Sequence, residues 1–148
     1  MASLDVDSLF TNIPLDETID ICCNLAFENK RKVEGLSIAD FRQLLTTATT
    51  ESFILFDGKY YQQFGPTLAN IFLGYHERKW LANCPNAFKP LYYRRYVDDI
   101  FLLFTNTQGL EQFQEYLNSQ HPNMNFTSEI ESDNSLAYLD VYITRINC

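Results

Sequence analysis

Tyr96-Val97-Asp98-Asp99 sets two adjacent carboxylates between two apolar runs, Pro90-Leu91-Tyr92-Tyr93-Arg94-Arg95-Tyr96-Val97 and Ile100-Phe101-Leu102-Leu103-Phe104. Strand signals this close together predict a β-hairpin closed by a two-residue turn over Asp98-Asp99. Asp-Asp suits that turn poorly, because such turns normally take glycine to reach positive φ. Neighbouring carboxylates also repel, and partial burial raises the cost of keeping both ionised. A bound divalent cation would remove the conflict, so the turn reads as a metal site. A solvated surface turn is the plain alternative for an Asp-Asp pair. The flanking tyrosine and the five apolar residues that follow form a narrower pattern than a polar loop tip.

A second acidic group stands at the other end of the chain. Leu4-Asp5-Val6-Asp7-Ser8-Leu9-Phe10-Thr11-Asn12-Ile13-Pro14-Leu15 carries aspartates at i and i+2, which share a face in an extended strand. The stretch is expected to turn through Asn12 and Pro14 into a helix with Asp16 as N-cap and Glu17 in its first turn. A strand-end aspartate beside a hairpin-tip pair is what two-metal phosphoryl chemistry needs. Carboxylate oxygens are hard ligands suited to Mg²⁺, which takes further ligands from water and substrate phosphates. Two such ions about 3.5–4 Å apart stabilise the attacking and leaving oxygens of an in-line displacement. Asp7 reads as solvated or locally assisting, with no catalytic role.

Four segments together, residues 4–15, Gly65-Pro66-Thr67-Leu68-Ala69-Asn70-Ile71-Phe72, Tyr93-Arg94-Arg95-Tyr96-Val97-Asp98-Asp99-Ile100-Phe101 and Tyr138-Leu139-Asp140-Val141, resemble the palm of a reverse transcriptase with its YxDD motif. The likeness is greatest to Penelope-like retroelements. It covers nearly the whole chain, with the motifs in the family's order. It implies an RNA-directed DNA polymerase that transfers deoxynucleotides to a primer 3′-hydroxyl. Asp5, Asp98 and Asp99 match the catalytic aspartates, and with the Val6 carbonyl they would hold Mg²⁺, or Mn²⁺ as an alternative. Phe10 matches the aromatic gate against a ribose 2′-hydroxyl, and Gly65 and Pro66 match the nucleotide-contacting segment. Tyr96 would pack near the primer terminus, with Tyr138 and Leu139 in a primer-grip-like segment. The implied partners are an RNA template, a DNA primer and deoxynucleoside triphosphates.

Departures from the family pattern accompany the likeness. Tyr60-Tyr61-Gln62-Gln63-Phe64 runs directly into Gly65, where the family has a longer segment, and position 125 is Asn where a lysine is often found. Only four residues precede Asp5, and the chain stops soon after Val141. Residues 1–148 are therefore expected to be a single palm domain, with fingers and thumb absent or supplied by another chain. Two readings from different classes follow. One is the catalytic palm of a truncated polymerase; the other is an inactive palm remnant serving as a folded binding or interaction domain. A non-specific two-metal nuclease would not explain Phe10 or the aromatic hairpin.

Composition fits one compact domain. At 148 residues, with 46% hydrophobic and 15% aromatic residues, the chain is of ordinary domain size and is not disordered. No apolar run reaches the ~18 residues of a membrane helix and no secretory signal precedes Asp5, so an intracellular protein, nuclear or cytoplasmic, is expected, with no membrane partner. Cys22, Cys23, Cys84 and Cys148 lack metal-ligand spacing, and reduced thiols are the default. Cys22-Cys23 reads as part of a helix's buried face rather than a redox pair. A net charge of −8 is the wrong sign for a free-standing nucleic-acid binder. Part of that excess is the proposed site. Lys30-Arg31-Lys32 suits a helix C-terminus; Arg94-Arg95 reads equally as a phosphate contact or as carboxylate partners.

The elements that must position these groups follow from periodicity. A strand is expected over 2–7, then a helix over 16–31 with Ile19, Cys22, Cys23, Leu25 and Ala26 inward, closed by Gly35. Ser37 should cap a second helix carrying Phe41, Leu44 and Leu45 on one face. Residues 52–62 predict a hairpin over Asp57-Gly58, and Pro66 opens a long helix through Trp80. A helix over 109–120 puts Leu110, Phe113 and Leu117 inward. Strands over 124–131 and 136–145 should pair across Ser132-Asp133-Asn134-Ser135. His76 is expected to pack or pair rather than ligate a metal, and His121 to end a helix. The fold class is α+β, a two-layer sandwich with a palm-like, mostly antiparallel sheet packed on helices.

Overall fold

The computed structural model describes residues 1–28, 35–50, 53–62 and 65–146. In chain order its elements are β1 (Ala2–Val6), α1 (Leu9–Asn12), α2 (Leu15–Phe27), α3 (Ile38–Thr50), β2 (Phe53–Phe56), β3 (Lys59–Gln62), α4 (Pro66–Asn83), β4 (Tyr92–Tyr96), β5 (Asp99–Leu103), α5 (Thr107–Asn118), β6 (Phe126–Ile130), β7 (Ser135–Tyr138) and β8 (Val141–Thr144). The architecture is α+β. Two compact units are present, Met1–Leu9 with Glu77–Cys148, and Phe10–His76.

The first unit is built on an antiparallel sheet of order β4-β5-β1-β6. Strand alternation sorts its residues onto two faces. Leu4, Val6, Ile100, Leu102 and Phe126 are all buried. Against this face lie α5, through Leu110, Phe113 and Leu117, and the end of α4, where Trp80 meets Phe126 edge-on at 6.1 Å. Phe113 packs on Tyr93 at 6.4 Å and on Phe104 at 5.7 Å, and the Tyr116 hydroxyl donates to the Trp80 carbonyl at 2.9 Å. Helix α5 starts two residues earlier than periodicity indicates, because Asn106 is its N-cap: its side-chain oxygen accepts the Gly109 N–H at 2.8 Å.

Two expected strands are corrected. Strands over 124–131 and 136–145 do not pair with each other. β6 pairs with β1 as the sheet edge, while β7 pairs with β8 in a separate hairpin over Leu139-Asp140. Hydrophobic pattern reads which residues are extended, but partner choice is a long-range matter. The first strand ends at Val6 rather than Asp7: Ser8 turns left-handed (φ 50°) and Leu9–Asn12 forms one helical turn.

In the second unit, α2 begins at Leu15 behind Pro14, so Asp16 is a first-turn residue rather than the cap. Its charge there still favours the helix dipole. Thr18 donates its hydroxyl to the Pro14 carbonyl at 2.7 Å. Ile19, Ile21, Cys22 and Cys23 are buried, but Leu25 is not. Cys22, Cys23 and Cys84 are free, and burial pushes their thiols up, away from the reactive thiolate. The helix ends at Phe27, with Glu28 as its extended C-cap, four residues short of the expected end at 31. Residues 29–34, with Lys30-Arg31-Lys32, lie outside the described residues, as do Cys148 and the expected hairpin start at Ser52. Ser37 caps α3 reciprocally: its hydroxyl accepts the Asp40 N–H at 3.1 Å, and the Asp40 carboxylate accepts the Ser37 N–H at 3.3 Å. The expected apolar face of α3 is not buried. Leu44 stays exposed, and the helix is held to α2 through Phe27–Phe41 at 5.6 Å and an Arg42–Asp20 ion pair. The β2–β3 turn has φ 48° at Asp57 and 71° at Gly58, the two left-handed residues of a type I′ turn.

Candidate functional site

The carboxylates converge through strand register. β1 pairs with β5 as Ser3↔Phe101 and Leu4↔Ile100, so the next step along both strands sets Asp5 opposite Asp99. Asp99 pairs with Tyr96 across the hairpin, and Asp5 with Thr127 of β6. Tyr96, Asp99, Asp5 and Thr127 thus form one row across the sheet face opposite the helices, with Asp98 at the turn beside it. Residues far apart in sequence become neighbours for a simple reason: both aspartates occupy the first non-core position beyond Leu4 and Ile100.

Electrostatics records the same convergence. Burial first, then the charges of Asp98 and Asp7, raises the Asp5 carboxyl above its ordinary 3.8; a hydrogen bond from the Val6 N–H opposes this. Burial, then Asp98 and Asp5, raises Asp99. Mutual repulsion among these partly exposed carboxylates is a state that a cation relieves. Carboxylate oxygens are the donor type that Mg²⁺ and Mn²⁺ take, but Asp5, Asp98 and Asp99 do not bring three ligand atoms within 4.8 Å of one another. Asp7 lies outside the row, its N–H donating to the Asn125 carbonyl at 2.9 Å and its carboxylate accepting from the Asn125 amide at 3.4 Å.

The turn itself differs from expectation. Tyr96↔Asp99 is the closing pair, so the two turn residues are Val97 and Asp98 rather than Asp98 and Asp99. Val97 has φ 56°, the left-handed region that a β-branched residue rarely enters. A positive φ at the first turn position alone is the type II′ pattern, where glycine is usual. Asp99 thereby joins the sheet row, and Asp98 sits at the tip.

Arg95, on the helix-side face, resolves one open alternative. Its Nε and Nη2 donate to the two Glu77 carboxylate oxygens at 3.1 and 3.2 Å, and its Nη1 donates to the Val97 carbonyl at 2.6 Å. It is a carboxylate partner. Arg94, on the opposite face, is exposed.

Tyr138 and Leu139 reach the same cleft from the β7–β8 hairpin. The Tyr138 hydroxyl donates to the Asp99 carbonyl at 3.3 Å, and its ring meets Phe101 edge-on at 5.5 Å. Burial and then the Asp99 charge push the Tyr138 phenol up. A cleft of about 540 Å³ is lined by Asp5, Asp99, Glu129, Tyr138, Leu139 and Asp140, among others. Sequence alone does not mark Glu129 and Asp140 as cleft residues; the Tyr-x-Asp echo of 138–140 with 96–98 is the available signal. Leu139 has φ 53°, so both echoes turn at the same position. Val6 keeps its side chain in the core.

Phe10, Gly65 and Pro66 belong to the second unit. Phe10 is half-buried on the α1 turn, not on an extended segment, and Pro66 opens α4 directly after exposed Gly65. In that unit His76 Nε2 lies 2.9 Å from Glu17 Oε1, and its ring contacts Phe72 and Tyr75. His121 follows the end of α5, its Nδ1 accepting the Asn123 N–H at 3.2 Å. Among the described residues no helix is long and apolar enough to cross a membrane.

No protein-family model and no curated protein matches the sequence. Among solved structures, the chain is similar to apo telomerase from Candida tropicalis truncated from its C-terminal domain, with a TM-score of 0.58 at 13% identity. The likeness covers 97% of this chain and 33% of the telomerase chain, so the chain spans about a third of that neighbour. At that identity the likeness speaks to the fold. The chain shares its α+β fold with that part of the telomerase structure.

Proposed function

We propose that this chain is the catalytic palm of an RNA-directed DNA polymerase, of the Penelope-like retroelement type, acting on a DNA primer paired to an RNA template. The observation that carries this is the Tyr96–Asp99–Asp5 row with Asp98 at its edge. Mg²⁺ or Mn²⁺, when bound, supplies charge compensation for the attacking 3′-oxygen and the departing pyrophosphate.

The chain's own groups do the rest by positioning and charge. Asp5 and Asp98 would hold the ions, with the Val6 carbonyl as a neutral ligand, and Asp99 would complete the charge. Tyr96 in the row and Tyr138 beside it carry the primer end, with Leu139 next to Tyr138. Phe10 is the gate against a 2′-hydroxyl, and Gly65-Pro66 contacts the incoming deoxynucleotide. Raised carboxyl pKa values favour binding that displaces protons, so metal affinity rises with pH through the carboxylate range.

The test is primer extension on an RNA template with Mg²⁺ or Mn²⁺, comparing the wild type with Asp98→Asn and Asp99→Asn. Metal-dependent extension lost in both variants is the expected result. No extension, together with a melting temperature that Mn²⁺ leaves unchanged, would instead support the inactive palm remnant.

A further inference from the structure

We propose that Arg95 and Glu77 form a positioning clamp behind the aspartate turn, which holds Val97 left-handed and so keeps Asp99 in the cleft with Asp98 at the turn beside it. The role of the directed carboxylates rests on the metal-binding function proposed above; the clamp itself rests on geometry.

Val97 is the wrong residue for its conformation. At φ 56° its branched Cβ crowds the backbone, and a strained residue persists only where its surroundings over-determine it. Arg95 supplies that constraint. Its Nη1 holds the Val97 carbonyl at 2.6 Å, a short charge-assisted bond that fixes the 97–98 peptide plane. That plane sets the direction in which Asp98 leaves the backbone.

Glu77 holds the arginine in turn. Both its oxygens take the guanidinium fork from α4, and the Tyr93 phenol is hydrogen-bonded to the same carboxylate. The Arg95 and Glu77 side chains are only 12% and 16% exposed, so the pair is partly withdrawn from solvent. Burial, then the Glu77 charge, pushes the Tyr93 phenol far up and keeps it a neutral donor. Three guanidinium nitrogens serve two acceptor groups at once, which a lysine ammonium on a flexible stem does not reproduce. The charge chain lies on the helix side, and the aspartates of the row on the other.

A stabilising ion pair alone would not couple to the residue at position 97. The experiment therefore compares the wild type, Arg95→Lys, Val97→Gly and the double variant, all checked for folding. The first readout is metal-free amide exchange over Val97–Asp99. Arg95→Lys is expected to speed it about tenfold while β1 and β5 amides stay protected. The second is Mn²⁺ affinity by calorimetry, expected to fall about tenfold in Arg95→Lys. Glycine relaxes the left-handed turn, so adding Val97→Gly to Arg95→Lys should recover affinity to within about threefold of the wild type. Unchanged exchange in a folded Arg95→Lys protein overturns the clamp, as does failure of glycine to rescue. If the wild type binds no Mn²⁺ yet its turn loosens as stated, the metal-binding function falls and the clamp stands.

Discussion

Asp98→Asn is expected to stabilise the metal-free protein at pH 7 and to destabilise it, relative to the wild type, once Mn²⁺ is present. The charge of Asp98 raises both Asp5 and Asp99, so neutralising it removes two repulsions at once. Unit charges 4 Å apart repel by about 1 kcal/mol in water and about 4 kcal/mol at a surface-like dielectric. Asp5 is exposed, and screening cuts the gain to on the order of 1 kcal/mol in total. For a domain of this size that is a rise of about 2–4 °C in melting temperature. Asp5 and Asp99 have folded pKa values above the ordinary 3.8, so the folded state holds more protons than the unfolded one just above that pH. Their contribution is complete below pH 3.8 and is lost as pH rises through the folded values. The advantage of Asp98→Asn should therefore vanish near about pH 3.5 and grow towards pH 7. Mn²⁺ at 100 times its dissociation constant adds about 2.7 kcal/mol to a protein that binds it. The wild type should gain that, and the variant much less. The assay is thermal unfolding from about pH 3.5 to 7 with and without Mn²⁺. A lower metal-free melting temperature in the variant, or equal Mn²⁺ gains in both proteins, would refute the reasoning.

Phe113→Ala, which opens a hole where Tyr93 and Phe104 meet α5, should cost about 3–5 kcal/mol in urea unfolding. Asn106→Ala removes the α5 cap and should cost about 1 kcal/mol in the same experiment, with Asn106→Asp close to neutral. Val97→Gly should raise the melting temperature by relieving a left-handed valine worth about 1–2 kcal/mol, partly offset by glycine's entropy in the unfolded chain. Phe10→Ala should leave deoxynucleotide incorporation measurable while ribonucleotide use rises by roughly 10- to 100-fold, read by primer extension with each set of triphosphates.

Local chemistry was legible in the chain wherever the cause is local. Asp57-Gly58 specifies its turn by the φ values those residues tolerate, Ser37 and Asp40 cap each other within one turn, and Pro66 opens its helix. The alternation of Ala2, Leu4 and Val6 fixes which face Asp5 must take. The pairing of β6 with β1, and of β7 with β8, was not legible, because several extended segments offer equivalent backbone donors and only packing selects among them. Likewise Asp16 reads as a cap, yet the cap is Pro14, two residues earlier.

The sequence by itself determined that carboxylates would stand at a strand end and at a hairpin tip, because apolar alternation leaves those positions outside the core. Only the tertiary structure decided that Val97 and Asp98 make the turn, that Asp99 enters the sheet row opposite Asp5, and that Arg95 faces Glu77. Register is a collective property of four strands, and a one-residue slip of β1 or of β5 would have sent Asp5 or Asp99, respectively, to the helix side.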